Sequence, residues 1–553
     1  MSSTLPAGLG EQVTAWSAQD PDPDTRGELA SLLDQVVAGS EASLTELSDA
    51  FAGRLQFGTA GLRGPIGAGP NRMNRVVVGQ AAAGLAAYLL DRGLGGGTVI
   101  IGHDARHKSD VFARDSAEIL AAAGFRTLLV PAPTPTPVIA FGIRHFGCVA
   151  GVVVTASHNP PQDNGYKVYL GDGSQIVPPA DGEIAARIED VAHRDLSDVP
   201  RSDDYVRLGG ELVEAYLERI VSLVPDEASR ELSWVYTPMH GVGGAVVAEA
   251  VVRTGFTGAA VVPEQAEPDP DFPTVGFPNP EEPGAIDLAL ALAARTGADL
   301  VVANDPDADR CAIAVPIDGG WRMLRGDELG AVLGDDALRR GVQGTYAASV
   351  VSSSLLSAMA TAHGQPYAVT LTGFKWIGRV PGLAFGYEEA IGYCVDPAAV
   401  PDKDGISALI RVLTLAAGLK AEGRTVADRL DEIATTYGVY ETDQLSVRVE
   451  DLTLIAAAMS RLRAQPPASL LGEPVQVVDL ADGTDELPPT DGVLLAGAQV
   501  TVVVRPSGTE PKLKCYLEAR VPRTQAVDLV TDRRRAREML TEVRAQMSRA
   551  LGL

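Results

Sequence analysis

A serine and a histidine at the end of an apolar run, Ser157 and His158, are well suited to do chemistry. The β-branched run 152–154 predicts a buried strand, and the prolines at 160–161 prevent it from continuing as a central strand. A hydroxyl held at the mouth of a strand, beside a proton acceptor and across a turn from Lys167, is typical of a nucleophile. Taken alone, such a pair belongs more often to a polar surface loop, so three further stretches decide the interpretation.

The second stretch places carboxylates at alternate positions directly after the predicted strand 300–303: Asp305, Asp307 and Asp309. Three such carboxylates can converge on one hard divalent cation and leave room for another oxygen ligand, the usual condition for Mg²⁺ bound to phosphate. An EF-hand does not fit, because its sixth position is Arg310 instead of glycine and its twelfth is Pro316 instead of glutamate. An Asp-rich solvated turn is the plain alternative, and the apolar strands on both sides argue against it.

Two Gly-containing loops, 370–378 (TLTGFKWIG) and 386–392 (GYEEAIG), each follow a predicted strand. Adjacent carboxylates on a Gly-flanked loop can accept hydrogen bonds from neighbouring sugar hydroxyls, although an exposed acidic turn has the same composition. The candidate binding residues of the two loops are Thr372, Gly373, Lys375, Glu388 and Glu389.

Candidate phosphate ligands occur in two further loops. The loop FGTAGLRG, residues 57–64, places three glycines around Arg63, so its backbone can approach a ligand closely. The stretch RPSGTEPKLK follows the predicted strand 500–504, and its arginine, hydroxyls, glycine and backbone N–H groups can ring a phosphate dianion. The candidate ligands of that stretch are Arg505, Ser507, Gly508, Thr509 and Lys514.

Composition restricts the class of protein. The 553 residues carry a net charge of −26, with 46% hydrophobic and 21% charged residues. This acidic balance argues against general nucleic-acid or anionic-membrane binding, so a phosphate site has to be a local basic pocket. Lysine is rare, and five of the seven lysines lie in Gly- or Pro-rich stretches where a compact ammonium is favoured over a guanidinium. The seven are Lys108, Lys167, Lys375, Lys403, Lys420, Lys512 and Lys514.

The cellular setting is predicted from what the sequence does not contain. Its four cysteines are far apart and form no C-x-x-C pair, so we expect reduced core thiols. The first residues show neither a basic nor an apolar signal-peptide region, and no stretch approaches 18 apolar residues. We therefore expect a cytoplasmic protein without membrane or nucleic-acid partners.

Alternating strand and helix patterns are expected to position these residues. Short connections between them predict doubly wound, largely parallel sheets, in which ligands bind beyond the carboxyl ends of the strands. We also predict a tight turn at Asn164–Gly165 and Asp327 as a helix N-cap. The predicted divisions are a helical lead-in at 1–50, α/β domains at 51–205, 206–320 and 321–440, and a smaller α+β domain at 441–553.

Four stretches in this order closely resemble the α-D-phosphohexomutase superfamily. TASHNP with GYKVY resembles its phosphoserine loop, DPDADR its metal loop, GYEEAIG its sugar loop and RPSGTEPK its phosphate loop. The resemblance spans about residues 50–520. FGTAGLRG and TGFKWIG are most similar to the branch that holds phosphoglucomutase-2-type and phosphopentomutase enzymes.

The resemblance implies three α/β domains of related topology and a fourth α+β domain around a central cleft. It implies that Ser157 is carried as phosphoserine and, with Asp305, Asp307 and Asp309, holds Mg²⁺. It assigns positive charge to Arg63, Lys167 and Arg310, and it leaves proton transfer open between His158, Lys167 and Lys375.

The implied reaction converts glucose 1-phosphate to glucose 6-phosphate through glucose 1,6-bisphosphate, which is also the activator. Glu388 and Glu389 would hold the sugar hydroxyls, and the loop from Arg505 to Thr509 would hold the phosphate that is not reacting. The implied enzyme is a monomer or a homodimer whose partners are small sugar phosphates.

One residue departs from the family pattern, and several alternatives stay open. Phosphomannomutase-like relatives tend to have histidine at the end of the sugar loop, where this chain has Tyr393, which favours glucose or pentose phosphates. Phosphopentomutase and phosphomannomutase activities remain alternatives on the same mechanism. A metal-dependent phosphatase would release phosphate, and a bisphosphate synthase would need a high-energy donor. A non-catalytic sugar-phosphate-binding protein would be expected to have lost Ser157 or an aspartate of the metal loop.

Overall fold

The structure, a computed structural model, describes residues 5–317, 319–449, 453–507, 512–524 and 527–552. The chain forms two compact units. The first unit consists of Met1–Ala312 with Ala398–Ile410, and the second of Ile313–Pro397 with Arg411–Leu553.

Three helices open the first unit: α1 (Leu9–Gln19), α2 (Pro23–Val37) and α3 (Glu41–Ala50). Asp22 caps α2 and Ser40 caps α3 by accepting hydrogen bonds from backbone N–H groups in the first turn. Gly39 (φ 97°) separates the two helices, because α2 ends before it and Ser40 starts α3 after it. The apolar residues of these helices share one core with the first sheet.

The first sheet has the strand order β1-β5-β4-β2-β3-β6, in which β4, β2, β3 and β6 are parallel to one another and β5 runs antiparallel to both of its neighbours, β4 and β1. Helix α4 is apolar on almost every side because it lies between α5 and α7. The elements are β1 (Leu62–Pro65), α4 (Arg75–Asp91), β2 (Thr98–His103), α5 (Ser109–Ala122), β3 (Arg126–Leu129), α6 (Thr136–His145), β4 (Ala150–Val154), β5 (Asp163–Leu170), α7 (Ala180–Ala192) and β6 (Val206–Arg207).

The predicted tight turn at Asn164–Gly165 is wrong, because both residues lie inside β5. The Asn164 amide donates to the backbone carbonyl of His107 and to Ser109 Oγ, both at 2.9 Å. Gly165 is pressed against β1 and the end of β4, where a Cβ would lie 2.5 Å from the carbonyl oxygen of Thr155. The pair therefore serves close packing of strands instead of chain reversal.

A second parallel sheet in the first unit has β7 between β8 and β9. All four residues of β9 are buried, as expected for a strand covered on both faces. Its elements are α8 (Glu211–Val221), β7 (Trp234–Thr237), α9 (Gly243–Thr254), β8 (Ala259–Val261), α10 (Asp287–Thr296) and β9 (Leu300–Ala303).

The second unit begins with a hairpin and a mixed sheet of order β13-β12-β14-β15, in which only β15 is antiparallel to its neighbour. Helix α14 starts in the segment assigned to the first unit and continues into the second. The elements are β10 (Ala312–Ile317), β11 (Gly320–Met323), α11 (Gly326–Arg339), β12 (Thr345–Ser349), α12 (Leu355–Ala362), β13 (Tyr367–Thr370), α13 (Phe374–Ile377), β14 (Leu383–Glu388), β15 (Gly392–Cys394), α14 (Gly405–Ala421) and α15 (Val426–Tyr437).

The last part of the chain is an antiparallel sheet of order β16-β22-β21-β20-β19 with helices α16 and α17 against it. Together with the preceding α/β sheets, it confirms the predicted fold class. The elements are β16 (Val439–Arg448), α16 (Thr453–Ala464), β17 (Ser469–Leu470), β18 (Glu473–Pro474), β19 (Gln476–Asp479), β20 (Val493–Ala496), β21 (Val500–Pro506), β22 (Lys512–Val521) and α17 (Leu529–Leu551).

The sequence predicted Asp327 as the N-cap of α11, and this prediction is wrong. The N-cap is Arg325, and Glu328 accepts a hydrogen bond from the Arg325 N–H at 2.9 Å. Asp327 lies buried in the first turn, where it accepts from the Ser353 N–H at 2.7 Å and from the Tyr387 hydroxyl at 3.0 Å. Burial raises the pKa of Asp327 to about 6, although these donors favour the charged form.

As the pH rises from about 4 to 7, the wild-type protein is expected to lose folding stability through Asp327, and the Asp327→Asn variant is expected to lose less. The folded-state pKa of about 6 lies above the unfolded value near 3.9, so the folded protein binds this proton more tightly. The resulting stabilisation is complete below about pH 4 and is lost as the pH rises through 6, by up to about 3 kcal/mol. Thermal unfolding of both proteins across this range measures it, and equal losses would contradict the assignment.

Within the described part of the chain, no helix is both long and apolar enough to cross a membrane. All four cysteines are buried and none of them forms a disulfide, which confirms their prediction as core thiols. Burial raises the pKa of Cys148 to about 12, so this thiol stays protonated and unreactive.

Candidate active site

Ser157 lies just beyond β4, at the carboxyl end of the parallel strands of the first sheet. Its φ of 52° is in the left-handed region, which costs a non-glycine residue about 1–2 kcal/mol. Thr155 supports this turn, because its Oγ1 accepts a hydrogen bond from the Ser157 N–H at 2.8 Å. The side chain of Ser157 is therefore held in one direction by a strained, buried turn.

The Ser157 hydroxyl has two neighbours. Its Oγ donates to Asp305 Oδ2 at 2.8 Å and lies 3.2 Å from His158 Nδ1. Burial, together with the nearby Arg310 and Arg63, holds the pKa of His158 well below its usual value. A neutral imidazole at this distance can accept the hydroxyl proton.

The carboxylate loop follows β9, at the carboxyl end of the second sheet, and its three aspartates are almost completely buried. One oxygen from each of Asp305, Asp307 and Asp309 lies within 4.8 Å of the others. The atoms Asp307 Oδ1 and Asp309 Oδ1 are buried and have no hydrogen-bond partner among the described residues. Buried acceptors left without donors, in an all-oxygen set, fit a hard divalent cation.

Two lysines neutralise this loop. Lys167 Nζ, on β5, donates to Asp307 Oδ2 at 2.7 Å and to Asp309 Oδ2 at 2.9 Å. Lys403 Nζ donates to Asp309 Oδ2 at 2.8 Å. Burial acts against the charged ammonium of Lys167, but Asp307 and Asp309 outweigh it and raise the pKa of Lys167.

The pKa values of the aspartates diverge because their partners differ. Burial and the charges of Asp307 and Asp309 raise the pKa of Asp305 well above its usual range. Burial acts in the same direction on Asp309, but Lys167 and Lys403 overcome it and hold the pKa of Asp309 low. A bound cation would reverse the repulsion that Asp305 feels.

Two arginines complete the positive surroundings. Arg310 Nε lies 4.0 Å from Asp305 Oδ2 and 3.9 Å from Asp309 Oδ1. Arg63, on β1, donates to Asn159 Oδ1 at 3.2 Å, and its buried Nε has no partner within the described ranges. An anionic phosphoryl group would satisfy such donors. The first unit therefore brings five predicted site residues, Ser157, His158, Lys167, Arg63 and Arg310, together around the predicted metal ligands Asp305, Asp307 and Asp309.

Glycines press against the carboxylate loop from two sides. A Cβ on Gly241 would lie 2.4 Å from the Cα and carbonyl oxygen of Pro306. A Cβ on Gly405 would lie 2.2 Å from the carbonyl oxygen of Arg310 and 2.7 Å from that of Ala308. The loop can hold this shape only because both contacting residues lack side chains.

Sequence reasoning missed two polar residues of this site. Thr136, the first residue of α6, donates to Asp307 Oδ2 at 2.6 Å through Oγ1 and to the Asp307 carbonyl through its N–H. Lys403 was recognised only as one of the rare lysines in Gly- and Pro-rich stretches. That rarity was the available signal for Lys403, whereas no signal distinguished Thr136 from its threonine and proline neighbours.

In the second unit, the predicted sugar loop is a tight connection between β14 and β15. Glu388 ends β14 and is paired with Gly392, so the loop consists of residues 389–391. Glu389 Oε2 accepts from Ser349 Oγ at 3.1 Å and from Ser352 Oγ at 3.4 Å. Burial and Asp327 raise the pKa of Glu389, so the loop carries a partly desolvated carboxyl whose orientation is fixed by two serines.

The neighbouring loop places Lys375 on the short helix α13, directly after Gly373. Gly373 has φ 103°, which a residue with a side chain rarely adopts. Thr372, Gly373 and Lys375 are all partly exposed. The structure therefore presents all three at the surface of the second unit, as a ligand-binding loop requires.

Two cations face each other in the predicted phosphate loop. Arg505 on β21 is directly opposite Lys514 on β22, so both side chains project from the same face. Ser507 follows, with its N–H bonded to the Lys512 carbonyl at 2.8 Å. Like charges directly opposite destabilise a strand pair, and an anion between them removes that penalty. The predicted ligands Gly508 and Thr509 lie outside the described residues.

Sulfate is expected to raise the unfolding temperature of the wild-type protein more than that of the Lys514→Gln variant, by about 2–4 °C. The reason is that Arg505 and Lys514 are held side by side only in the folded protein, so sulfate bound between them stabilises the folded state. Differential scanning fluorimetry in sulfate and in chloride at equal ionic strength measures this difference. Arg544→Gln is the matched control, because Arg544 pairs with Asp443 at 2.8 Å. Equal sulfate shifts in all three proteins would contradict an anion site.

Tyr393 does not have the environment of a sugar ligand. It is fully buried, its hydroxyl donates to the Gly326 carbonyl at 3.1 Å, and its ring stacks with that of Tyr387. The residue supports the start of α11. The argument against mannose from this position therefore loses its physical basis.

Comparison with protein families identifies all four parts of this chain. Models of the phosphoglucomutase/phosphomannomutase α/β/α domains I, II and III match residues 54–195, 214–318 and 325–437. The model of the C-terminal domain matches residues 446–536.

Similar proteins differ in the sugar that their names specify. The chain is 49% identical to a "Probable phosphomannomutase" of Haemophilus influenzae over 81% of this chain and 93% of that protein. It is 38% identical to a "Probable phosphoribomutase" of Schizosaccharomyces pombe, over 93% and 94%. It is 32% identical to a phosphoglucomutase of Staphylococcus aureus, over 86% and 92%.

A solved structure shows the same fold. The phosphoglucomutase/phosphomannomutase family protein from Burkholderia thailandensis superposes with a TM-score of 0.68 at 22% identity, covering 89% of this chain and 97% of that one. The fold and the site thus define an enzyme that moves a phosphoryl group within a sugar phosphate. The chain belongs to the phosphoglucomutase/phosphomannomutase family.

Proposed function

We propose that this enzyme interconverts glucose 1-phosphate and glucose 6-phosphate through a phosphoserine at Ser157 and a glucose 1,6-bisphosphate intermediate. The observation that carries the mechanism is the placement of Ser157 Oγ, 2.8 Å from Asp305 within the buried carboxylate loop. A nucleophilic hydroxyl beside a carboxylate metal site and several buried cations supplies what in-line phosphoryl transfer needs.

The first half-reaction transfers the phosphoryl group from Ser157 to a sugar hydroxyl. In that step the proton of the sugar hydroxyl passes to the departing Ser157 Oγ. In the second half-reaction, Ser157 Oγ attacks the other phosphoryl group of the bisphosphate, and the serine proton passes through His158 to the sugar oxygen that leaves. The side chains of Lys167, Lys403 and Arg310 would stabilise the developing negative charge on the phosphoryl oxygens. Each step forms one P–O bond and breaks another, so phosphate is conserved.

Asp305, Asp307 and Asp309 would hold Mg²⁺ together with an oxygen of the Ser157 phosphate. The ion would withdraw charge from that phosphoryl group and lower the barrier to its transfer. The unpartnered oxygens Asp307 Oδ1 and Asp309 Oδ1 support this assignment.

The second unit is proposed to bind the rest of the substrate. Glu388 and Glu389 would accept hydrogen bonds from sugar hydroxyls, and Lys375 would lie close to the sugar on the loop of Thr372 and Gly373. The non-reacting phosphate would be held by the opposed cations and by the loop that follows them: Arg505, Ser507, Gly508, Thr509 and Lys514.

The sugar is the least constrained part of this proposal. Glucose is supported by the paired carboxylates of the sugar loop and by the similarity to the Staphylococcus aureus phosphoglucomutase. Pentose and mannose phosphates are the other candidates, because the Schizosaccharomyces pombe relative aligns over 93% of this chain and the Haemophilus influenzae relative is 49% identical.

A mutase assay separates the candidates. The purified enzyme is given Mg²⁺, a trace of glucose 1,6-bisphosphate and, in turn, glucose 1-phosphate, mannose 1-phosphate or ribose 1-phosphate, while free phosphate is followed. Fastest isomerisation of glucose 1-phosphate without phosphate release supports the proposal. A preference for ribose or mannose keeps the mechanism and changes the substrate. Net release of phosphate from every sugar would show hydrolysis and overturn the mutase assignment.

A further inference from the structure

One buried arginine binds the backbone of the Ser157 loop at four points. Arg106 Nη2 donates to the carbonyl oxygens of Ser157 at 2.7 Å and Asn159 at 2.5 Å. Its Nη1 donates to those of Pro160 at 2.8 Å and Asp163 at 3.1 Å. The guanidinium thus spans the loop from the nucleophile to the first residue of the next strand.

Arg106 is itself held in place by Asp104. The Asp104 Oδ1 atom accepts from the Arg106 N–H at 3.0 Å and from Ser109 Oγ at 2.7 Å. The Arg106 Nε lies 3.4 Å from Asp104 Oδ2, and both side chains are almost completely buried. The contacts with Asp104 therefore fix the guanidinium of Arg106, which lies on the loop between β2 and α5.

The other face of the guanidinium rests on an aromatic ring from the proline-rich segment 268–284. The Arg106 Cζ lies 4.9 Å from the centroid of Phe272, which is 4% exposed. Phe272 has a left-handed φ of 45° and packs with Met239 and Val275, so the ring is anchored in a small core of its own. Stacking on an aromatic face is favourable for a guanidinium, especially where both are desolvated.

Farther along the same segment, Phe277 lies 6.1 Å, centroid to centroid, from His158. Glu281 lies 3.9 Å from Arg310. The segment therefore contacts the nucleophile loop and its neighbours at three places, although none of its residues was predicted to belong to the site.

We propose that Arg106, stacked on the ring of Phe272, is a positioning residue for phosphoryl transfer. It holds the Ser157 loop in the left-handed turn that directs the hydroxyl, and this role rests on the proposed phosphoserine mechanism. A left-handed serine is strained, so the turn persists only while the surroundings fix it. Arg106 binds loop carbonyls and acts through Ser157, so its removal should lower kcat and leave KM nearly unchanged.

The test compares Arg106→Lys with a matched arginine. Lysine keeps the charge, but one ammonium cannot reach four carbonyl oxygens. Arg230, elsewhere in the first unit, also bonds four backbone carbonyls, those of Pro225, Asp226, Ala228 and Thr254, and Arg230→Lys is the control. Kinetics are measured on the best substrate of the wild-type enzyme, together with the unfolding temperature of each variant.

We expect Arg106→Lys to lower kcat by about 30-fold or more with KM within about threefold, because small displacements of reacting atoms are costly. Arg230→Lys should lower only the unfolding temperature. If Arg106→Lys retains kcat within about threefold of an active wild type, the positioning role is overturned. If that variant does not fold, Phe272→Leu decides, with a smaller loss of kcat expected and an unchanged kcat contradicting the proposal. A wild type inactive on every sugar phosphate would refute the proposed function instead.

Discussion

Replacing Ser157 by alanine is expected to abolish mutase turnover, with a fall in kcat of about 10⁴-fold or more, while the fold stays intact. Alanine lacks the oxygen atom that would carry the phosphoryl group, and the two side chains differ in no other heavy atom. Its loss leaves Asp305 Oδ2 without the 2.8 Å hydrogen bond, a local effect. Mutase activity and circular dichroism measure the two outcomes.

Ser116→Ala is the matched control for this variant. Ser116 is also a fully buried serine of the first unit, and its hydroxyl donates to the Phe112 carbonyl within α5 at 2.8 Å. It should keep full kcat with at most a modest loss of stability. An active Ser157→Ala enzyme would remove the nucleophile assignment, and incubation with glucose 1,6-bisphosphate followed by peptide mass spectrometry would then locate the residue that is phosphorylated.

Asp307→Asn is expected to have the second largest effect, a loss of Mg²⁺-dependent activity of about 10³-fold. The substitution keeps the shape of the side chain. It removes the negative charge of the carboxylate, whose Oδ2 lies 2.7 Å from Lys167 Nζ and whose Oδ1 has no hydrogen-bond partner among the described residues. Saturating Mg²⁺ should stabilise the wild type by about 2–3 kcal/mol, and it should not stabilise the variant. Activity and unfolding temperature are therefore titrated with Mg²⁺ after treatment with EDTA.

A buried carboxylate outside the site serves as the control. Asp335 is paired with Arg429 in the second unit, and Asp335→Asn should lose stability while retaining the Mg²⁺ dependence of the wild type. If Asp307→Asn responds to Mg²⁺ as the wild type does, in both activity and stability, the carboxylate loop is not the metal site.

The chemistry of this site could be predicted from the sequence wherever local pattern determines it. The strand 300–303 was predicted with the bounds that the structure has, because an apolar run of β-branched and small residues leaves few alternatives. The convergence of Asp305, Asp307 and Asp309 followed from their spacing, and the structure confirms that they lie together. The roles of individual residues and the exact domain boundaries remain predictions.

Other features depended on contacts that local pattern cannot reveal. Lys403 reaches Asp309 across 94 residues of sequence, so spacing carried no information about their contact. Arg106 binds backbone carbonyls, and every residue type has one, so no motif marks its partners. The Asn164–Gly165 pair has the composition of a turn, yet tertiary packing draws it into a strand.

The glycines on either side of the carboxylate loop constrain how this sequence can change. Every single-base missense change of a glycine codon introduces a Cβ, and at Gly241 or Gly405 that atom would collide with backbone, which cannot rotate away. Gly27 and Gly182, by contrast, have open space around the same position and no left-handed φ. In a saturation library we expect Gly241 and Gly405 to tolerate no substitution. Neutral substitutions therefore cannot accumulate at these two positions and are expected elsewhere in the chain.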